Sequence, residues 1–164
     1  IAMQNAIVMV LAAVAAWIVR LRAEFETLFH YAYLSDLPFT IHAGECGNYD
    51  NISKAISFGA RRIGHGCAAR FSEECMRLLE REQIVLELCP TSNVQTKAVP
   101  SLFEHPIRTF FDRGILVTVN TDNMTVSNTT LDKEYTLLKK HFHFTDDELA
   151  KMSRTAALAA FARL

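Results

Sequence analysis

The chain alternates between two kinds of hydrophobic pattern. Short runs rich in β-branched and aliphatic residues predict strands at 38–42, 61–65, 84–88 and 115–120. Between and after them, apolar residues recur with helical spacing, which predicts helices at 22–35, 49–58, 72–82, 101–113, 130–142 and 145–162. Repeated alternation of strand and helix predicts parallel strands, because parallel neighbours must be joined by crossover connections.

Several predicted helices have capping residues at their ends. Ser72 precedes two glutamates, which suits an N-cap followed by acidic side chains at the positive end of a helix. Thr145 repeats this pattern and forms a capping-box sequence with Glu148. Gly59 and Gly114 stand where helices are expected to stop.

Each predicted strand runs into a polar cluster at its C-terminal end. The clusters are His-Ala-Gly-Glu at 42–45, His-Gly at 65–66, Cys-Pro-Thr-Ser-Asn at 89–93 and Asn-Thr-Asp-Asn at 120–123. A (β/α) barrel gathers its site from several strand ends, whereas an open sheet concentrates its site at one switch point. The four clusters therefore favour the barrel.

The length suggests that this barrel is incomplete. A full barrel takes about 250 residues, and the 164 residues supply four or five of the eight strand–helix units. We expect one domain, 1–164, forming the C-terminal part of a (β/α)8 TIM barrel whose N-terminal strands are missing. The chain begins with Ile1 and not with a methionine, which also indicates a fragment.

Composition narrows the possible partners. Half of the residues are hydrophobic, 21% are charged, and the formal net charge is -1, so nothing draws the chain to nucleic acid or to an anionic membrane. A small neutral or zwitterionic substrate is compatible with this balance. The four cysteines form no Cys-x-x-Cys pair, which favours reduced thiols in a cytoplasmic protein.

An apolar run at 6–19 raises the question of a membrane segment. A spanning helix needs about 20 apolar residues, and this run is shorter and ends before Arg20. A signal peptide would carry a basic region before the run, and none is present. A buried element is the favoured interpretation.

Four polar residues are candidates for chemistry, each with an ordinary alternative. His42 suits a metal ligand, or a hydrogen-bonded core histidine. Glu45, on the same loop, is able to donate a proton if it is kept protonated. His65, between two glycines, is either a base at the rim or part of a tight turn. Asp122 follows a buried strand, where a carboxylate needs a partner or a metal, and it lies too far upstream to cap the helix near Thr130.

The residues at 87–93 are expected to matter less. The stretch 89–93 is interpreted as a polar turn that forms a wall of the site. Glu87, inside a strand, is expected to hydrogen-bond to its neighbours.

The ordered motifs resemble those of the adenosine deaminase family. They are His-Ala-Gly-Glu at 42–45, Arg-Ile-Gly-His-Gly at 62–66, Leu-Cys-Pro-Thr-Ser-Asn at 88–93 and Asn-Thr-Asp at 120–122. The flanking stretches 95–99 and 125–131 look like those of bacterial members. The resemblance covers about 34–161, whereas 1–33 match poorly.

The resemblance implies a role for each residue. His42 and Asp122 would be zinc ligands, and Glu45 would protonate N1 of the purine. His65 would orient and deprotonate the water that attacks C6, aided by Zn²⁺. The backbone at Gly44 and the side chain at Asn123 would contact the purine. The implied reaction is hydrolytic deamination of adenosine or deoxyadenosine to inosine and ammonia, in purine salvage, with a small purine nucleoside as the partner.

The chain departs from the family pattern in three places. The His-x-His pair of the family's first strand, which supplies two further zinc ligands, is absent together with that strand. Position 123 is Asn where many members have Asp, although an amide is also able to hydrogen-bond to N7. The expected Asp-Leu-Ala-Gly loop upstream of His42 is at best reduced to Leu-Ala-Ala at 11–13.

Two other interpretations stay open, and one is excluded. A deaminase of a related purine such as adenine is one alternative, because it would share the same zinc chemistry. A truncated, inactive product is a second alternative, because two expected ligands are missing. The zinc deaminases of cytidine and of flipped bases need Pro-Cys-x-x-Cys, and Pro90 is followed by Thr, Ser and Asn.

Overall fold

A computed structural model describes residues 26–46 and 48–161. Within these ranges the strands are β1 Thr40–Ala43, β2 Arg62–His65, β3 Val85–Leu88 and β4 Leu116–Val119. The helices are α1 Glu26–Leu34, α2 Asp50–Ser57, α3 Glu73–Arg81, α4 Pro90–Gln95, α5 Ile107–Arg113, α6 Met124–Ser127, α7 Leu131–Phe142 and α8 Asp146–Ala159. The apolar run 6–19 and the outer ends of the first and last predicted helices lie outside the described residues.

The strands form one parallel sheet in chain order. β1 pairs with β2, β2 with β3 and β3 with β4, all in parallel. One row of matched positions, fully or almost fully buried, runs through Ile41, Ile63, Leu86 and Val117. The neighbouring row has the polar residues His42, Glu87 and Thr118, with Gly64 between them. Because adjacent strand residues face opposite ways, these two rows lie on opposite faces of the sheet. The predicted parallel order is confirmed.

The predicted caps are confirmed by hydrogen bonds. The Ser72 hydroxyl accepts from the Cys75 backbone N–H at 3.1 Å at the start of α3. At α8, Thr145 and Glu148 form the reciprocal capping box. Gly114 ends α5 in the left-handed conformation, with φ 86°. Gly114 lies just before β4, so this end of α5 sets where that strand begins.

Four segments differ from the sequence predictions, the first being Cys67–Phe71, which forms an unpredicted 3-10 helix. The expected turn at 89–93 is the start of α4, and α6 was not predicted. The helix predicted at 101–113 is broken, because residues 102–104 form a short 3-10 helix and α5 begins only after Pro106. A residue before proline avoids the helical conformation, and His105 is extended, with ψ 125°.

All four cysteines, Cys46, Cys67, Cys75 and Cys89, are free thiols, and only Cys46 is exposed. No helix formed by the described residues has the length and apolar character needed to cross a bilayer.

Candidate active site

A cavity of about 540 Å³ opens at the carboxyl ends of the strands. Residues that end or follow all four strands line it, among them His42, His65, Cys89 and Asp122. Glu45, which is two residues past β1, reaches the same region through His65. The structure thus brings together the side chains that the sequence placed at four separate strand ends.

The imidazole of His42 is packed closely from one side. Its ring lies edge-to-face against the ring of His65, with centroids 4.9 Å apart. A Cβ added at Gly64 would stand 2.5 Å from His42 Cδ2, so the glycine makes room for this ring. Gly64 is the residue paired with His42 across β1 and β2. His42 Nδ1 is buried without a hydrogen-bond partner in the described residues.

His65 ends β2 in an uncommon backbone conformation, with φ 66°. Such left-handed conformations in a non-glycine residue cluster at functional sites. The side chain is only 2% exposed. Its Nε2 lies 3.3 Å from Glu45 Oε2 and its Nδ1 lies 2.9 Å from Asn93 Nδ2. Burial, reinforced by His42, lowers the pKa of His65 to about 4, so the ring is neutral at pH 7.

Glu45 is held between two partners. Its Oε1 accepts from the Thr96 hydroxyl at 3.0 Å, and its Oε2 faces His65. Burial raises the pKa of Glu45, the Thr96 hydrogen bond opposes that shift, and the charge of Asp122 adds to it. The direction favours the protonated acid that a proton donor requires.

Asp122 follows β4 with φ 56°. Its Oδ2 accepts from the Ser92 hydroxyl at 2.7 Å. Asp122 is exposed among the described residues, and Ser92 is a hydrogen-bonding partner of the kind expected for a carboxylate at this strand end. Asp122 is not a helix cap, since Thr130 caps α7 with its own hydroxyl. The carboxylate is therefore available to a ligand in the cavity.

The two predicted substrate contacts lie beside this group. Gly44 is buried between His42 and Glu45, and its carbonyl accepts from the Ala68 N–H at 2.8 Å. Asn123 is exposed and caps α6, where its Oδ1 accepts from the N–H groups of Thr125 and Val126. Its Nδ2 is the atom through which Asn123 would donate to a purine.

Sequence reasoning missed the importance of α4. Ser92 binds Asp122, Asn93 binds His65, and Thr96 binds Glu45. Positions 92, 93 and 96 share one side of a helix. The available signal was Pro90, since proline is favoured in the first turn of a helix. A segment interpreted as a turn in the wall is the element that supports three candidate residues.

Two further carboxylates, the partly exposed Glu87 and the buried Glu134, bind groups of the strands and of α4. Glu87 accepts from the Thr40 hydroxyl at 2.7 Å and lies 2.9 Å from Arg62 Nε, as expected of a strand residue that bonds to its neighbours. Glu134 of α7 is 0% exposed and accepts from the Thr129 hydroxyl and the Thr91 N–H. Glu134 thereby caps the start of α4.

His42 and Asp122 supply an imidazole nitrogen and a carboxylate oxygen, which is a donor set that zinc accepts. The unpartnered nitrogen of His42 and the exposed carboxylate of Asp122 fit such a role. Across residues 26–46 and 48–161, however, no group of three or more candidate ligands is assembled. His141 and His143 have His-x-His spacing, but both are exposed at the end of α7 and do not line the cavity. The two donors fit zinc in kind, but the described residues do not assemble the three protein ligands that catalytic zinc sites usually have.

A parallel sheet with its polar residues gathered at the carboxyl ends defines the rim of a (β/α) barrel. A family model for adenosine deaminase matches residues 12–163. The match begins about 30 residues before the first motif, at 42–45, and includes all four motifs. The chain belongs to the adenosine deaminase family.

Individual relatives agree with this assignment. An adenosine deaminase from Enterococcus faecalis is 42% identical over 137 residues, covering 84% of this chain and 41% of that protein. The crystal structure of an adenine deaminase from Arthrobacter aurescens superposes with a TM-score of 0.82 at 28% identity, covering 98% of this chain and 53% of that one.

A third match supports the fold alone. An amidohydrolase from Burkhoderia ambifaria, solved with bound Zn, has a TM-score of 0.76 at 22% identity and covers 85% of this chain and 40% of that one. The chain spans about two fifths of the length of the curated relatives it matches. Its sheet corresponds to part of a barrel.

Proposed function

We propose that this chain carries the catalytic rim of an enzyme that deaminates adenosine or deoxyadenosine hydrolytically. The overall reaction takes the nucleoside and one water to inosine and one ammonia. The observation that carries the proposal is the contact of Glu45 with His65 beside His42 and Asp122 at one rim. The raised pKa of Glu45 suits a proton donor. The lowered pKa of His65 keeps its imidazole neutral, which suits a hydrogen-bonding partner of the attacking oxygen.

Each residue has a distinct task in this proposal. Glu45 protonates N1 of the purine, which makes C6 more electrophilic. His65 orients the attacking oxygen through Nε2, the ring nitrogen on the Glu45 side. The backbone at Gly44 and the amide of Asn123 hold the purine edge.

His42 and Asp122 would hold the zinc ion. Bound zinc lowers the pKa of a coordinated water to about 7, so that hydroxide is accessible at neutral pH. Ser92 orients the Asp122 carboxylate by its hydrogen bond, and the partners of ligands commonly affect metal affinity. Catalytic zinc sites usually have three protein ligands, so two from this chain require completion.

Adenine is the second candidate substrate. The support for it is the superposition on an adenine deaminase over almost the whole chain. The relatives at higher identity bear the name adenosine deaminase, which is why adenosine is placed first. Comparing kcat/KM for adenosine, deoxyadenosine and adenine decides between the candidates.

The test compares two proteins. One is the chain as it stands, and the other is the extended protein, in which the N-terminal portion of the Enterococcus faecalis relative precedes this chain. We expect weak zinc binding and little or no deamination by the chain alone, and both properties in the extended protein. Robust turnover by the chain alone would overturn the requirement for further ligands. An extended protein that folds and binds zinc but deaminates none of the three purines would refute the proposed function.

The proposal includes a cytoplasmic place in purine salvage. The four free cysteines support the cytoplasmic location, because thiols persist in a reducing compartment. The salvage role follows from the proposed reaction.

A further inference from the structure

The orientation of the Asn93 side chain is fixed by a backbone group. Asn93 is 0% exposed, and its Oδ1 lies 3.2 Å from the Cys89 backbone nitrogen. A backbone N–H only donates, so the atom facing it must be the amide oxygen. The amide NH2 then faces His65 Nδ1, at 2.9 Å.

A second backbone group leads to the same orientation. The Ile107 N–H donates to His105 Nδ1 at 3.2 Å, so in neutral His105 the proton is on Nε2. That Nε2 lies 3.2 Å from Asn93 Oδ1 and donates to it. The Cys67 thiol is a further donor to the same oxygen, at 3.3 Å. A flipped amide would turn its NH2 group towards all of these donors.

The protonation of His65 follows from this network. Because the Asn93 NH2 group donates to Nδ1, that nitrogen must be an acceptor, and the ring proton must be on Nε2. His65 Nε2 lies 3.3 Å from Glu45 Oε2, so it presents an N–H to the reactive side of the site. A base would need the opposite arrangement, with a lone pair at Nε2 and a proton at Nδ1 directed at the amide NH2.

We propose that Asn93 is a positioning residue that fixes His65 in the Nε2–H tautomer, so that His65 is a hydrogen-bond donor to the attacking oxygen and not its base. The tautomer stands on the hydrogen bonds alone, whereas the role towards the attacking oxygen rests on the proposed function. It differs from the base role that the family resemblance implies for His65. The attacking water would then lose its proton to solvent, because zinc held by His42 and Asp122 would bring the pKa of a bound water to about 7. His105 and the Cys89 N–H act through Asn93 and keep its amide from turning.

The tautomer is measured directly by 15N NMR of the histidine rings in the chain. An unprotonated ring nitrogen resonates far downfield of a protonated one, and His65→Gln identifies the His65 signals among the six histidines. At neutral pH we expect Nε2 protonated and Nδ1 unprotonated. A proton on Nδ1, or a rapid mixture of both tautomers, would overturn the proposal, and this result requires no Asn93 variant.

Asn93→Asp tests the cause. A carboxylate still accepts from Cys89 and His105, but it requires a proton on His65 Nδ1, so the signals should show Nδ1 protonated. His105→Gln is the matched control, since its amide keeps a donor for Asn93 and the tautomer should not change. An unchanged His65 tautomer in folded Asn93→Asp would contradict the assignment.

Kinetics of the extended protein distinguish donor from base. A carboxylate on Nδ1–H is the arrangement that orients a histidine base. If His65 were the base, Asn93→Asp would keep or raise kcat. If His65 is a donor, we expect kcat to fall at least about 10²-fold, with KM within a few-fold and the zinc content unchanged. An inactive wild-type extended protein would defeat the proposed function and leave the tautomer result standing.

Discussion

The inner and outer strands of the sheet carry two different kinds of polar group. His65, at the end of the inner strand β2, forms a buried hydrogen-bonded network with Asn93 of α4 and, through Asn93, with His105. At the two edge strands of the described sheet, His42 of β1 has a nitrogen without a partner among the described residues, and Asp122, just past the end of β4, has an exposed carboxylate. We call these the inner network and the outer pair.

The difference separates polar groups whose hydrogen bonds are made within this chain from polar groups that are free to bind a ligand. A buried polar network is stabilising only when its members are satisfied, and the inner network meets that condition with residues of this chain. The outer pair offers donor atoms of the kind that zinc binds. Substitutions in the inner network should therefore alter chemistry or folding, whereas substitutions in the outer pair should alter metal binding.

The largest expected effect separates the two carboxylates. In the extended protein, Glu45→Gln removes the proposed proton donor and should lower kcat by about 10²- to 10⁴-fold while zinc stays bound. Asp122→Ala removes a ligand and should lower zinc content, measured by metal analysis after gel filtration. His65→Ala should keep most of the zinc and lose rate.

The opposite pattern would exchange the roles. Zinc retained in Asp122→Ala together with zinc lost in Glu45→Gln would assign Glu45 to the metal. Asp122→Asn is the conservative control, because the amide oxygen still accepts from Ser92 but binds zinc less well than a carboxylate.

Two neighbouring glycines sharpen the comparison. A Cβ at Gly64 meets the His42 ring at 2.5 Å, whereas a Cβ at Gly66 meets Leu86 Cδ2 at 2.7 Å. Gly64→Ala should displace His42 and reduce zinc affinity of the extended protein by about 10- to 100-fold, as loss of ligand support commonly does. Gly66→Ala, at φ 73°, should instead lower the free energy of unfolding by about 1–3 kcal/mol.

Zinc titration and urea unfolding of both glycine variants provide the check. If Gly64→Ala binds zinc as tightly as the wild type, the close packing of Gly64 against His42 has no bearing on the metal.

A buried carboxylate tests the support of the inner network. Glu134→Ala leaves the Thr91 N–H and the Thr129 hydroxyl without their acceptor. Each buried hydrogen bond to a charged group contributes about 1.5–3 kcal/mol, so the free energy of unfolding in urea should fall by several kcal/mol. Glu134→Gln keeps an acceptor for Thr91 and should be much milder. Equal losses in both variants would attribute the effect to packing and not to the hydrogen bonds.

The strands and most helices were predictable because their hydrophobic periods are local. The four strand ends were also predictable, since parallel strands place them at one edge. The partners of Asn93 were not predictable, because Cys67 and His105 lie 26 and 12 positions away. Neither was the exposure of Asp122, since burial of a strand end depends on the strands around it. Helix α4 was missed because its six residues are too few to show a helical period.

The smallest effect concerns the far end of the inner network and the pH dependence of folding. Burial, reinforced by the charge of Arg70, lowers the pKa of His105 to about 3, below the ordinary value of about 6.5. Above pH 6.5 both the folded and the unfolded state hold His105 neutral, so it gives no pH dependence there. As pH falls below 6.5, the unfolded state binds a proton that the folded state excludes, and folding loses up to about 1.4 kcal/mol per pH unit for this group. His65 adds the same effect down to about pH 4.

His105→Gln keeps a donor for Asn93 and removes one titrating group, so its unfolding free energy in urea between pH 6.5 and 5 should fall less steeply than that of the wild type. Identical slopes would mean that His105 takes up its proton in the folded protein, where its Nδ1 would no longer accept from Ile107.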